Sequence, residues 1–379
     1  LNSLPPLDNG TFTSLASSPS GSLVVGGTSN GAIYFWDAKK NVLLSERTIS
    51  TLSGRVINLA VSHNGRILAS VHPGKLMLWN LETGKQLGEI TQNGLNVNTI
   101  AFSMDDTYLV GGGDDSSVRV WDVSDNTLPL VRWWEGTNGR IWAVCGSSNG
   151  SLLAVAAERR IILWDVATGS ILNIDGSFSY HYKNNNVLVF SPDGEYLALG
   201  NDMGNSIRVW HWLSGEWVFE EGLNGDIALM TFSPDGVYLV AGATGSKGQL
   251  VMWKVARGEQ AEWEKVWETR LPYMTSAAFT PDGRLLIVGT KEGVSFLDST
   301  TGNVLRAIDV GAAVDSVLIR NAGLQVVAGG EDGVLYVLGV PHWKLIPTDT
   351  PTPTSTPTPT ASLTPLPIAP PNVTVTPYP

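Results

Sequence analysis

The sequence predicts an all-β chain: an eight-bladed β-propeller of four-stranded antiparallel blades, followed by an extended Pro/Thr-rich tail. Three observations carry that prediction. A unit clearest as Phe190-Ser191-Pro192-Asp193-Gly194-Glu195-Tyr196-Leu197-Ala198-Leu199-Gly200, closing with Ile207-Arg208-Val209-Trp210, recurs along the chain. Its Trp position returns at 36, 79, 121, 164, 210 and 253, spaced 42 to 46 residues, and the register continues without Trp at Leu297 and Val337, which makes eight copies. Each copy holds about four short strands, and a sheet that small buries its faces only by stacking on its neighbours.

Within one copy the elements follow from residue type. Val187-Leu188-Val189-Phe190 is a β-branched and aromatic run, Pro-Asp-Gly supplies a tight turn with Gly where φ can be positive, and Tyr196-Leu197-Ala198-Leu199 returns antiparallel. Trp36-Asp37, Trp121-Asp122 and Trp164-Asp165, with the variants Trp79-Asn80, Trp210-His211 and Trp253-Lys254, mark the third strands. Ser-Pro-Asp-Gly begins at Ser191 and Ser233 and Thr-Pro-Asp-Gly at Thr280, with looser forms at Ser18, Ser62 and Ser148. On these motifs residues 12 to 340 resemble the WD-repeat family, and the tail adds a resemblance to its extracellular bacterial members.

The resemblance implies a propeller, and it implies little about function, because function lives in sites placed on folds. It also implies a polar tetrad of His, Ser or Thr, Asp and Trp in each blade. Only Asp115 and Asp332 match the Asp position, Asn30 and Glu292 substitute for it, and no copy has the Gly-His. Cohesion is therefore expected from apolar stacking between blades.

The domain reading is 1–11 as an N-terminal segment, 12–346 as the propeller and 347–379 as the stalk or linker. Leu1 to Leu4 fall where an outermost strand belongs, so they are one candidate for closing the ring; His342 to Ile346 are the other, and the sequence does not choose between them. Inner strands are expected to start at Phe12, Val56, Val97 and Ile141 in the first four copies.

A formal net charge of −11 without clustered Lys or Arg argues against nucleic acid. No run of about eighteen apolar residues offers a membrane span. The lone Cys145 lies in the apolar run Ile141-Trp142-Ala143-Val144-Cys145 and reads as a small buried residue. The chain begins at Leu1, as a precursor that has lost a secretion signal or an excised fragment would. The expected location is secreted or cell surface.

Loops leading into inner strands and loops between second and third strands share one face, where functional side chains gather. Around the fourth and fifth copies, Arg140 and Trp142 face the longest such loop, which carries Tyr180, His181, Tyr182, Asn184 and Asn186. Rigid aromatics with amides are what partner sites use. These seven residues are the candidate partner-binding set, with packing of the loop onto its blade as the plainer alternative. Arg257 to Thr269, with Trp263 and Trp267, is a second irregular stretch that reads as the cap of a blade edge.

No catalytic residue, cofactor or metal ligand is expected. Gly146-Ser147-Ser148-Asn149-Gly150 and Gly27-Thr28-Ser29-Asn30-Gly31 have nucleophile-elbow spacing but no strand-to-helix turn. The five His residues show no ligand spacing. Asp165-Val166-Ala167-Thr168-Gly169 resembles a turn of quinone-cofactor dehydrogenase propellers, but the Trp-Asp strands and Ser-Pro-Asp-Gly turns favour a non-enzymatic protein.

Pro347 to Pro371 alternates Pro and Thr, favours polyproline II and has Thr residues open to O-glycans. Its roughly 25 residues reach about 75 Å at about 3.1 Å each. The run Asn372-Val373-Thr374-Val375-Thr376 alternates like a strand, so Val373, Thr374, Val375 and Thr376 are candidates for adding to a blade edge on another copy. The function expected is a protein-interaction or structural module that binds a protein partner or copies of itself, with filaments as one outcome. A surface-tethered ligand scaffold and, less favoured, a quinone-type enzyme are the alternatives.

Overall fold

The computed structural model describes residues 2–3, 11–37, 40, 42–50, 54–91, 95–125, 127–134, 140–147, 150–157, 160–166, 168–173, 187–201, 205–257, 262–320, 325–332 and 334–339. Eight antiparallel four-stranded sheets follow one another along the chain. Their inner strands are Phe12–Ser17, Asn58–Val61, Thr99–Phe102, Ile141–Gly146, Val187–Phe190, Ile227–Phe232, Met274–Phe279 and Val314–Arg320. Each inner strand touches the next, and the eighth touches the first, so the ring is closed. The one helical element among the described residues is a short 3-10 turn, Ser45–Arg47, and none is long and apolar enough to cross a membrane.

The N-terminus closes the ring. Asn2 pairs with Val337 and Ser3 with Tyr336, giving the eighth blade its outermost strand. The competing segment 342–346 lies outside the described residues, as does the whole of 347–379. Two inner strands begin later than the sequence predicts, at Asn58 and Thr99 rather than Val56 and Val97. Val56 and Val97 are still buried, because the apolar signal marks the packing position and not the first ladder bond.

The core lies between blades. Val25, Ile33 and Phe35 of the first blade pack with Val56, Leu68 and Trp79 of the second, and Phe12, Val24 and Trp36 pack with Val327, Leu335 and Val337 across the closing seam. Burial of each such side chain is worth roughly 1.5–3 kcal/mol. Close approach depends on second-strand glycines: a Cβ at Gly27 would lie 2.4 Å from Val56, and one at Gly112 2.4 Å from Ile141.

The turns between first and second strands repeat one hydrogen-bond unit. A Ser or Thr hydroxyl accepts the N–H five residues on: Ser62 from Ile67 and Ser103 from Tyr108 at 2.9 Å each, Ser191 from Tyr196 at 3.0 Å, Ser233 from Tyr238 at 2.9 Å and Thr280 from Leu285 at 3.0 Å. The same hydroxyl donates to Asn64, Asp105, Asp193, Asp235 or Asp282 two residues on. Gly194 takes the φ of 76° the turn needs. In the third blade Asp106 holds that position at φ 57°, and its carboxylate accepts the backbone N–H of His63 and of Asn64, 2.7 Å each, on the turn next door.

One expectation about cohesion needs correction. The second blade has a buried polar relay: Trp79 Nε1 donates to Ser70 Oγ (2.8 Å), which lies 3.2 Å from His72 Nε2, while His72 Nδ1 faces the Gly54 carbonyl at 3.4 Å. The carbonyl can only accept, so Nδ1 carries the proton and Nε2 accepts from Ser70. The His comes from the end of the second strand and not from a Gly-His ahead of the first. Of the two matched Asp positions, Asp115 pairs with Arg119 (2.6 Å) and Asp332 accepts from Tyr336 (2.5 Å).

Candidate functional site

On the face opposite these turns, five inner strands carry a β-bulge at their second residue, between Phe12 and Ser14, Ile141 and Ala143, Ile227 and Leu229, Met274 and Ser276, and Val314 and Ser316. A bulge re-aims one side chain. The re-aimed residues are Thr13, Trp142, Ala228, Thr275 and Asp315. Thr13 Oγ1 donates to the Val56 carbonyl of the next blade at 2.6 Å, and Thr275 Oγ1 donates likewise to that of Val314. In those two blades the bulge is a staple.

Trp142 has no hydroxyl to use this way, and its indole is partly accessible. The Arg140 guanidinium lies over the ring, 5.1 Å from its centroid. Arg140 is held there by Asp114, through Nε at 2.8 Å and Nη2 at 2.5 Å, and Asn98 Nδ2 donates to the same carboxylate at 2.6 Å. Asp114 comes from the loop between the second and third strands of blade three, Asn98 precedes the inner strand of that blade, and Arg140 precedes that of blade four. The site therefore straddles two blades. Both charged side chains keep over a third of their surface in solvent, so the pair itself adds little stability. What it fixes is geometry: a planar cation stacked on an indole, with amide and carboxylate alongside.

Arg140 and Trp142 are thus together as expected. Tyr180, His181, Tyr182, Asn184 and Asn186 lie outside the described residues, as do Val373, Thr374, Val375 and Thr376. Asp114 and Asn98 were not expected; the signal for Asp114 was its place in a second-to-third-strand loop, which shares this face. Trp263 stacks on Phe219 at 4.4 Å and Trp267 Nε1 donates to the Ser299 carbonyl at 2.8 Å, so both cap blade edges. Burial pushes the Cys145 thiol up to about 12, which leaves it protonated and unreactive. Among the described residues no group of three or more His, Cys, Asp or Glu can hold a metal.

The WD domain, G-beta repeat, matches residues 7–37, 84–122 and 129–165. The last two matches start in an outer strand and run through the first three strands of the next blade. The chain is 25% identical over 300 residues to a guanine nucleotide-binding protein subunit beta of Arabidopsis thaliana, covering 75% of this chain and 78% of that one. It is 24% identical over 266 residues to the subunit beta-1 of Nicotiana tabacum, covering 67% and 71%. Among solved structures, Sqt1 of Chaetomium thermophilum bound to the N-terminus of the ribosomal protein L10 superposes with a TM-score of 0.73 at 20% identity, over 89% of this chain and 99% of that one.

Proposed function

We propose that this chain, a propeller built of WD repeats, is a non-catalytic protein-binding scaffold whose recognition surface is the face carrying Asn98, Asp114, Arg140 and Trp142. One observation carries the reading. Trp142 stands at a bulge position that Thr13 and Thr275 use to staple blades together, and there it presents a partly accessible aromatic face under a fixed guanidinium. Aromatic and Arg side chains at a pre-organised spot are the usual anchors of protein interfaces. Sqt1, with the same fold, is seen bound to the N-terminus of a ribosomal protein, and the relatives named beta subunits belong by that name to multi-subunit proteins. Both support a binding role.

The test is affinity capture from the native source by wild type and by a Trp142→Ala, Asp114→Asn double variant of equal thermal stability. The reading expects at least one partner, identified by mass spectrometry, to lose about 1 to a few kcal/mol of affinity. Unchanged affinity for every partner excludes this face.

The Pro/Thr composition of 347–379 supports a finer reading, in which the tail is an extracellular or cell-surface stalk and Asn372 to Thr376 adds as a strand to the outer edge of a neighbouring propeller. Because donor strand and acceptor edge are different surfaces, such contacts propagate into filaments unless they close a ring. Sedimentation of the full chain against a chain ending at 346 tests this: assembly should need the tail, and equal behaviour of the two makes it a spacer.

A further inference from the structure

The seam between blades eight and one differs from four of the other junctions. At those four a β-branched residue fills the notch over the preceding blade's second-strand glycine: Val56 over Gly27, Ile141 over Gly112, Ile227 over Gly200 and Val314 over Gly289. At the seam the equivalent residue is Phe12, whose ring turns back onto Gly26 and packs edge-on against Trp36 at 5.6 Å. Leu15 covers Gly329 instead. A cavity of about 240 Å³ results, lined by Phe12, Thr13, Ser14, Leu15, Asp315, Ser316 and Gly329.

The staple position at this seam holds Asp315 where blades one and seven hold Thr13 and Thr275. In the repeat Phe12 stands where Val56 and Val314 stand, and it lines the same cavity as Asp315. An ionised carboxylate only accepts hydrogen bonds, and so does a carbonyl; a neutral carboxyl can donate. We propose that Asp315 is a proton-controlled staple: in its neutral form it donates to the Phe12 carbonyl and locks blade eight to blade one, and in its ionised form the lock is open.

The surroundings favour the neutral form. Burial, and then the nearby Glu331 carboxylate, raise the Asp315 pKa above the ordinary Asp value. The elements packed against its strand are Phe12–Ser17, Met274–Phe279, Leu285–Thr290 and Gln325–Gly330, and none carries a titratable side chain. Glu331, directly after the last of them, is the charged group among the described residues that acts on Asp315. The sign follows. A raised carboxyl pKa contributes stability below the unfolded value and loses it as pH rises through the folded one. Among the described residues the strand pairing across the ring's closing point is the two-residue Asn2–Ser3, and the rest of the seam is held by side-chain packing of Phe12, Val24 and Trp36 on Val327, Leu335 and Val337.

Native-state hydrogen exchange of the full chain, corrected for intrinsic rates, tests the proposal as a series that rises from about pH 4, near the ordinary Asp value, through neutrality. In wild type, protection of Phe12 to Leu15 and Val314 to Val317 should fall several-fold as pH rises. Asp315→Thr and Asp315→Asn, which donate at every pH, should hold protection at the low-pH level throughout. Glu331→Gln should move the wild-type transition to lower pH. A pH-independent seam in wild type, or the same pH trend in both Asp315 variants, overturns it.

Discussion

The two faces of this propeller are built from the same repeat and behave in opposite ways. On one, every blade from the second to the seventh that is described in full uses the same hydroxyl, the same backbone N–H and nearly the same Asp, so that Ser62, Ser103, Ser191, Ser233 and Thr280 are interchangeable parts. On the other, a bulge shared by five blades offers one re-aimed side chain in each, filled by Thr13, Trp142, Ala228, Thr275 and Asp315. Where a repeat keeps its chemistry, the chemistry holds the fold. Where it keeps the geometry and changes the residue, the positions are open to other uses, the proposed ones being recognition for Trp142 and a response to protons for Asp315.

The comparison breaks most readily on the repeated face. Ser191→Ala with Ser233→Ala removes two buried acceptors from the N–H of Tyr196 and Tyr238, and should lower stability by about 2–6 kcal/mol together, read by denaturant unfolding, with partner binding unchanged. Binding that falls in step with these turns would erase the division between the faces.

A second effect is read as a slope. His72 is fully buried, and its pKa is lowered first by that burial and further by Lys75, against an opposing bond to Gly54. A His with a depressed folded pKa gives stability that is whole above its ordinary value of about 6.5 and is lost as pH falls below it, at up to about 1.4 kcal/mol per pH unit. Tm measured from about pH 7.5 down to about pH 5 should show this loss in wild type and not in His72→Gln. This trend runs opposite to that of Asp315, so the second blade and the closing seam answer acid with opposite signs.

The smallest expected change in stability is at the recognition face. Asp114→Asn should move unfolding by less than about 0.5 kcal/mol, because Asp114 and Arg140 are both well exposed. A loss of several kcal/mol would make the pair structural.

The blades were legible because their signals are local. Trp121-Asp122 and Ser233-Pro234-Asp235-Gly236 each declare a strand end or a turn within a few residues, and the period declares the stacking. What the sequence hid depends on register and on neighbours. The bulge at Trp142 exists only in how Ile141 and Ala143 pair with Ala157 and Ala156. The His72 relay uses Ser70 and Trp79 from paired strands, and the family's own His position gave no warning of it. Asp114 and Arg140 lie 26 residues apart and in different blades. The Asp106 carboxylate caps the turn of the neighbouring blade, 42 residues from Asn64 in sequence.

The central claim, that Trp142 and its guanidinium form a recognition surface while the opposite face carries stability, is tested most directly by measuring partner affinity and Tm together for Trp142→Ala. The account predicts an affinity loss of about 1 to a few kcal/mol with a Tm close to wild type. A Tm that drops by many degrees while affinity for the folded protein is unchanged would contradict it, and would make Trp142 one more packing residue of the ring.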